Sequence, residues 1–267
     1  MDVSALRPSE YTPTYMSPDM LVRATELTVA ELAKNQDAEI TGKAAERLLA
    51  DIFRADLAPE KGNRPVPDLY RNGIAYSIKA IQLRWVSSRP RWENWRGVPV
   101  TLMTHRMEPA GLLPRGRTIF DTRVDALGRR IIENYNAILE KYRHEMLAVF
   151  AGLRVENEQL RRYFYWEEEL QPLDPADFIW HDRQPSTPAA AKADKGKKRN
   201  IWAERRDRPS GEKRADLAWC SKGSQLYVRH QMPADIDTWV VPDAKALTRE
   251  EATIALLDAA RIKALSR

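Results

Sequence analysis

The sequence has 267 residues and a formal net charge of +5, and 43% of its residues are hydrophobic, which is ordinary for a globular protein. Its single cysteine, Cys220, excludes a disulfide framework and a four-cysteine zinc site, and its four scattered histidines argue against a histidine-based metal centre. Residues 1–13 lack the apolar core of a signal peptide and no apolar run is long enough to span a bilayer, so we expect a cytoplasmic protein without membrane association.

The first part of the chain, about residues 1–57, is predicted to be helical. Ser17 caps one helix and Pro18 lies in its first turn. The stretch 41–57 has apolar residues at helical spacing and predicts a second helix, which carries Glu46.

A β-hairpin is predicted at residues 67–80, PDLYRNGIAYSIKA, within a core of about residues 60–107. Asn72 and Gly73 both tolerate a positive φ, so they favour a two-residue type I′ turn.

The register that follows from this turn places Asp68 opposite Ser77, at the open end of the hairpin. Residues two apart on a strand share a face, and directly opposed residues do as well, so Asp68, Ser77 and Lys79 are predicted to converge on one side.

The rest of the chain mixes helices and strands, which predicts an α/β fold with a mixed central sheet flanked by helices, in a single domain spanning residues 1–267. The predicted elements are a strand at 98–107, one long amphipathic helix over 121–154, strands at 163–170 and 178–182, a hairpin at 216–230, a strand at 237–242 and a helix from Thr248 to about 265.

A basic loop is predicted at about residues 184–214, where the first part is poor in apolar residues and reads as a mobile surface segment. Residues 192–214 hold ten Lys or Arg against four Asp or Glu. Such a patch suits a polyanion, and a solvated basic loop without a partner is the alternative.

An acid and a lysine held together at the end of a sheet have a chemical use. Phosphodiester hydrolysis needs a divalent cation that offsets charge in the transition state and acidifies a water molecule, and Mg²⁺ needs only one or two carboxylates. The alternative is a cross-strand ion pair between Asp68 and Lys79 on a solvent-facing surface.

These residues resemble the PD-(D/E)xK nuclease signature, with Ser77 where the second acid is expected. Among type II restriction endonucleases, a subgroup that includes enzymes cutting CCGG-containing sites has Ser or Thr there and a displaced Glu about fourteen residues after the lysine. That position is Glu93 in this chain. The resemblance implies a restriction-endonuclease-like αβα core, Mg²⁺ as cofactor, and Asp68, Glu93 and Ile78 as metal ligands. It also implies that Lys79 positions the attacking water, with Ser77 in a supporting place.

Similar nucleases often supply a further acid from the preceding helix, and Glu46 is in the corresponding place. A solvent-facing helix glutamate is the alternative. Asp243 and Lys245 form a second acid-x-lysine pattern, which we interpret as the turn into the last helix.

The resemblance further implies double-stranded DNA as substrate, a prokaryotic restriction system, products with 5′-phosphates, and a homodimer that cuts both strands. The alternatives are an inactive DNA-binding protein of the same fold and a nuclease acting on RNA or branched DNA. The predicted DNA contacts are basic residues that follow the lysine or lie in the basic loop: Arg84, Arg89, Arg91, Arg96, Lys197, Lys198, Arg199, Arg205 and Arg206.

Overall fold

The structure is a computed structural model. It describes residues 15–35, 39–59, 67–83, 99–106, 118–141, 146–154, 159–183, 199–207, 215–221, 224–233 and 235–264.

The described residues form four α-helices and eleven strands. The helices are α1 (Pro18–Lys34), α2 (Lys43–Phe53), α3 (Val124–Lys141) and α4 (Arg249–Ala264). The strands are β1 (Asp56–Leu57), β2 (Leu69–Arg71), β3 (Ile74–Leu83), β4 (Pro99–Arg106), β5 (Met146–Arg154), β6 (Leu160–Glu169), β7 (Phe178–Asp182), β8 (Asn200–Arg205), β9 (Leu217–Cys220), β10 (Gln225–Gln231) and β11 (Asp237–Pro242).

The chain divides into two compact units, each with its own sheet. The first unit comprises residues 1–98, 144–169 and 232–267, and the second comprises residues 99–143 and 170–231. The prediction of one nuclease domain did not anticipate a second sheet, and the assignment of both units to a single domain stays a prediction.

The first unit contains a six-stranded mixed sheet in the order β1-β2-β3-β5-β6-β11. Strands β3 and β5 are parallel, and the other pairs described in this sheet are antiparallel. The α/β class with a mixed central sheet and helices, predicted from the sequence, is confirmed. None of the described helices is long and apolar enough to cross a membrane.

One face of this sheet forms a hydrophobic core with helices α1 and α2. Tyr76 and Ile78 of β3 belong to this core, as do Phe150, Tyr163 and Trp239 of the neighbouring strands. The three aromatic rings stack in a row, with centroids 5.1 Å apart for Phe150 and Tyr163 and 5.8 Å apart for Tyr163 and Trp239. Alternation along β3 therefore sends the side chains of residues 77 and 79 to the opposite face.

The turn of the hairpin is confirmed. Asn72 and Gly73 have φ values of 52° and 79°, as a type I′ turn requires. The register pairs Leu69 with Tyr76, and the two pairs nearer the turn also follow the prediction.

The prediction of a single helix over residues 121–154 is wrong. Helix α3 ends at Lys141, and residues 146–154 form β5, between β3 and β6. Seven of its nine residues are buried in succession, because both faces of this strand are covered. A continuous apolar run of this kind carries no period that separates a strand from a buried helix.

The second unit contains a five-stranded antiparallel sheet in the order β4-β10-β9-β8-β7. Strand β8 falls inside the segment predicted as a mobile loop, so that prediction is wrong for residues 200–205. Ile201 and Ala203 are buried, while Trp202 and Glu204, which alternate with them, are partly exposed, and the surrounding charges obscured this short alternation. Residues 184–198 and 208–214 lie outside the described residues.

Replacing Gly73 by alanine tests the backbone constraint of the turn. A Cβ at this position meets no atom within 4 Å, so the cost comes from the positive φ alone. We expect Gly73→Ala to lower the free energy of unfolding by about 1–2 kcal/mol in urea denaturation. Asn72→Gly serves as the control, since glycine accepts the φ at position 72, and equal losses in both variants would contradict the interpretation.

Candidate functional site

Asp68 is fixed at three points at the base of the hairpin. Its N–H donates to the Tyr76 carbonyl at 2.8 Å, and its carbonyl accepts from the Ala58 N–H at 3.1 Å. Its carboxylate Oδ2 accepts from the Ile78 N–H at 2.6 Å. The carboxylate therefore lies beside β3, where the main-chain pairing of the hairpin has ended.

The predicted pairing of Asp68 with Ser77 is not formed, because strand β2 begins only at Leu69. Pro67 precedes Asp68 and has no N–H, so the ladder cannot continue regularly. The Asp68 side chain takes over instead and satisfies the next donor on β3.

Lys79 and Ser77 share a face of β3, as predicted. The Lys79 ammonium donates to the Ser77 hydroxyl at 2.9 Å. Ser77 is buried and Lys79 is partly exposed. The hydroxyl therefore orients the lysine, and the supporting place of Ser77 in a catalytic site stays a prediction.

Burial raises the pKa of the Asp68 carboxyl above its usual value. The positive charge of Lys79 and the hydrogen bond from Ile78 act in the opposite direction, and the negative charge of Glu46 adds to the increase. Lys79 of β3 and Glu46 of α2 therefore both act on the charge of Asp68, although the three residues come from a strand, a helix and a loop.

Glu46 lies in the first turn of α2, and only 14% of its side chain is exposed. Its Oε2 atom forms an ion pair with Lys43 Nζ at 2.8 Å. Glu46 is therefore mostly buried rather than solvent-facing, and its charge acts on Asp68. Lys43 was not predicted as part of the site, and its sequence signal is its position three residues before Glu46 on one helix face.

A second carboxylate, Glu167, anchors the hairpin to the sheet from the core side. It accepts from Arg71 Nη1 at 2.7 Å, from the Tyr165 hydroxyl at 2.7 Å and from the Tyr76 hydroxyl at 3.1 Å. Burial and the charge of Glu167 raise the pKa of Tyr76 to about 12, so this phenol stays protonated and continues to donate. This anchor was also missed, because its members are far apart in sequence.

Several predicted site residues lie outside the described residues: Glu93, Arg84, Arg89, Arg91, Arg96, Lys197 and Lys198. Their roles stay predictions.

Three predicted DNA contacts are described, in the second unit. The Arg199 guanidinium donates to both carboxylate oxygens of Asp182, at 2.7 and 3.0 Å, and to the carbonyls of Ile119 and Thr122. Its Nε, Nη1 and Nη2 atoms are all engaged within the protein, so a DNA contact draws no support from this geometry. Arg205 and Arg206 are exposed.

The alternative acid-x-lysine pattern is structural. Asp243 is buried and pairs with Arg154 at 2.9 Å, and residues 244–246 form a short 3-10 helix that leads into α4, as interpreted from the sequence.

The donor set at Asp68 fits a hard divalent cation. Asp68 and Glu46 supply carboxylate oxygens, and the Ile78 carbonyl points toward the Asp68 side of β3, because the N–H and C=O of one strand residue face the same neighbour. Among the described residues, no three His, Cys, Asp or Glu side chains group as a metal site. Mg²⁺ accepts so small a set, since it prefers oxygen ligands and retains several waters.

Comparison with known proteins found no matching family model, curated protein or solved structure.

The buried charge of Asp68 predicts a stability change with a definite pH dependence. Because its folded-state pKa is raised, Asp68 contributes stability at low pH that is lost as the pH rises through that value. Asp68→Asn removes the charge and keeps an oxygen that can accept from Ile78. Without added metal at pH 7, we expect this variant to be at least as stable as the wild type in urea denaturation, with a smaller difference in acid.

Asp56→Asn, at an exposed aspartate of β1, is the matched control and should change the unfolding free energy little. A clear loss of stability in Asp68→Asn at neutral pH would contradict this account of the Asp68 environment.

Proposed function

We propose that this protein is a Mg²⁺-dependent endonuclease that hydrolyses phosphodiester bonds in double-stranded DNA, as type II restriction enzymes do. One observation carries the proposal: the half-buried Asp68 carboxylate accepts from the Ile78 N–H, and Lys79, whose charge lowers the pKa of Asp68, donates to Ser77 on the same strand. Acid and lysine held in this way are what metal-assisted attack on a phosphodiester requires.

Each residue of the proposed site has a separate role in binding the cation or in catalysis. Asp68 and the Ile78 carbonyl would hold the cation, with Glu46 and the predicted ligand Glu93 completing the set. The bound cation supplies charge stabilisation and a more acidic water. Lys79 directs its ammonium toward the attacking oxygen and stabilises the negative charge that develops there.

Ser77 fixes where the lysine can act. Its buried hydroxyl accepts from Lys79 Nζ and limits the positions of a long, flexible side chain. Orientation of this kind lowers the entropy lost on reaching the transition state. Lys79 therefore needs no direct ion pair with a second strand acid to be held in place.

The proposed substrate is duplex DNA and the proposed assembly is a homodimer, which would place one site on each strand. Arg205 and Arg206, both exposed, are candidates for phosphate contacts. The proposed products carry 5′-phosphates.

A second candidate is a DNA-binding protein of the same fold without catalytic activity. Ser77 favours it, because a hydroxyl replaces a carboxylate at the position that faces Lys79. A nuclease acting on RNA or branched DNA uses the same site and differs only in substrate.

Lys79→Ala tests the catalytic proposal. With Mg²⁺, we expect the wild type to cut plasmid and genomic DNA into discrete fragments, and the variant to lose activity by about 10²–10³-fold, as when one transition-state donor is removed. Lys245→Ala is the control, since Lys245 belongs to the structural acid-x-lysine pattern, and it should retain full activity.

Three other outcomes separate the alternatives. Binding of duplex DNA without cleavage supports the inactive protein. Cleavage confined to RNA or to a four-way junction supports the third function. Full activity of Glu93→Ala beside an inactive Lys79→Ala rejects Glu93 as a ligand and leaves the rest of the site intact.

A further inference from the structure

We propose that Lys43 is the resident counter-ion of the candidate cation site: it neutralises Glu46 and Asp68 until a divalent cation binds, and then gives way to it. This inference rests on the proposed function, because it takes Asp68 and Glu46 to be cation ligands. It assigns to Lys43 control over how tightly the site takes up a cation.

An ion pair places Lys43 at Glu46, one of the two carboxylates that would hold the cation. Its Nζ atom is 2.8 Å from Glu46 Oε2, and its positive charge also acts on Asp68. A divalent ion bound by Asp68 and Glu46 would compete with this ammonium for the Glu46 carboxylate. Displacement of Lys43 is therefore part of the cost of cation binding.

Lys43 and Glu46 differ in solvent exposure, as displacement of Lys43 by a cation requires. The Glu46 side chain is 14% exposed, whereas the Lys43 side chain is 61% exposed. The carboxylate is held in the site, while the ammonium is on a flexible stem that can withdraw into water.

Helix energetics do not account for a lysine at this position. Lys43 is the first residue of α2, and the preceding Gly42 provides no side-chain cap. A positive charge at a helix N-terminus opposes the helix dipole, and this cost is similar in size to the gain from the ion pair with Glu46. The negative charge of Asp68, on which Lys43 acts, supplies a reason that local helix stability does not.

The formal charges of Asp68, Glu46, Lys43 and Lys79 are consistent with exchange of Lys43 for a cation. Asp68 and Glu46 are balanced by Lys43 and Lys79, so the described cluster is neutral as it stands. Exchange of the Lys43 contact for a divalent cation leaves a positive site. Such a site suits a phosphodiester and a hydroxide ion, each of which carries one negative charge.

Titration with MnCl₂ by isothermal calorimetry tests the proposal, using the full chain stripped of metal with a chelator. Lys43→Met keeps the length of the stem and removes the charge. We expect it to bind Mn²⁺ about two- to fivefold more tightly than the wild type, the range for losing one partly exposed ion pair. Lys43→Arg keeps the charge and should retain wild-type affinity. Lys34→Met, at an exposed lysine at the end of α1, should also leave the affinity unchanged.

Thermal unfolding supplies a second measurement. Without metal, Lys43→Met should unfold at a lower temperature than the wild type, because Asp68 and Glu46 lose a counter-ion. With saturating Mn²⁺ the difference should disappear. A purely structural role would lower the unfolding temperature under both conditions and leave the affinity unchanged or weaker, and either result would overturn the proposal.

The outcomes distinguish this inference from the proposed function. Equal Mn²⁺ affinity of the wild type and Lys43→Met rejects the counter-ion and leaves the nuclease proposal standing. Failure of the wild type and of Lys43→Met to bind Mn²⁺ rejects both.

Discussion

The candidate site depends on one hydrogen bond, from the Ile78 N–H to the Asp68 carboxylate. Regular pairing in the hairpin ends at Leu69, after Pro67, which cannot donate, and a side-chain oxygen instead of a carbonyl accepts from the next donor on β3. The same bond that completes the edge of the sheet therefore holds a carboxylate in a partly dehydrated place. Burial makes that charge costly, and the two nearby lysines offset part of the cost.

One face of β3 packs in the hydrophobic core, and the other carries the residues proposed to act in catalysis. Tyr76 and Ile78 lie in the core with α1 and α2, and the Glu167 anchor ties the hairpin to β6 on that same face. Ser77 and Lys79 lie on the other face and contact each other. The core can thus fix the strand without using the groups proposed to act on a substrate.

The sequence predicted the parts of the site that are set by local stereochemistry. The Asn72-Gly73 turn determined the hairpin register up to Leu69, and the helix predicted to begin at Thr248 is present as α4, where Thr248 and Glu251 exchange capping hydrogen bonds. The predicted fourth pair, Asp68 with Ser77, is not formed. Turn geometry cannot predict that the Asp68 side chain, instead of a main-chain carbonyl, accepts from Ile78.

Other features depend on tertiary surroundings that a single sequence does not contain. Strand β5 was predicted as helix because both its faces are covered and its sequence has no strand alternation. Strand β8 was not predicted because charged residues surround its short alternating pattern. Glu167 could not be predicted because its partners Arg71 and Tyr76 are distant in sequence. Lys43 could not be singled out because its spacing from Glu46 is common in helices. The position of Glu93 lies outside the described residues, so its role depends on the resemblance alone.

The Glu167 anchor has a consequence for protein synthesis. Asp68, Ser77 and Lys79 emerge early from the ribosome, but Arg71 meets its partner Glu167 only 96 residues later, and β5 is made in between. A nascent chain that ends before β6 contains every acid and lysine of the described cluster but lacks Glu167, which anchors the hairpin to the sheet. Assembly of the site is thereby delayed until more than half of the polypeptide has been translated.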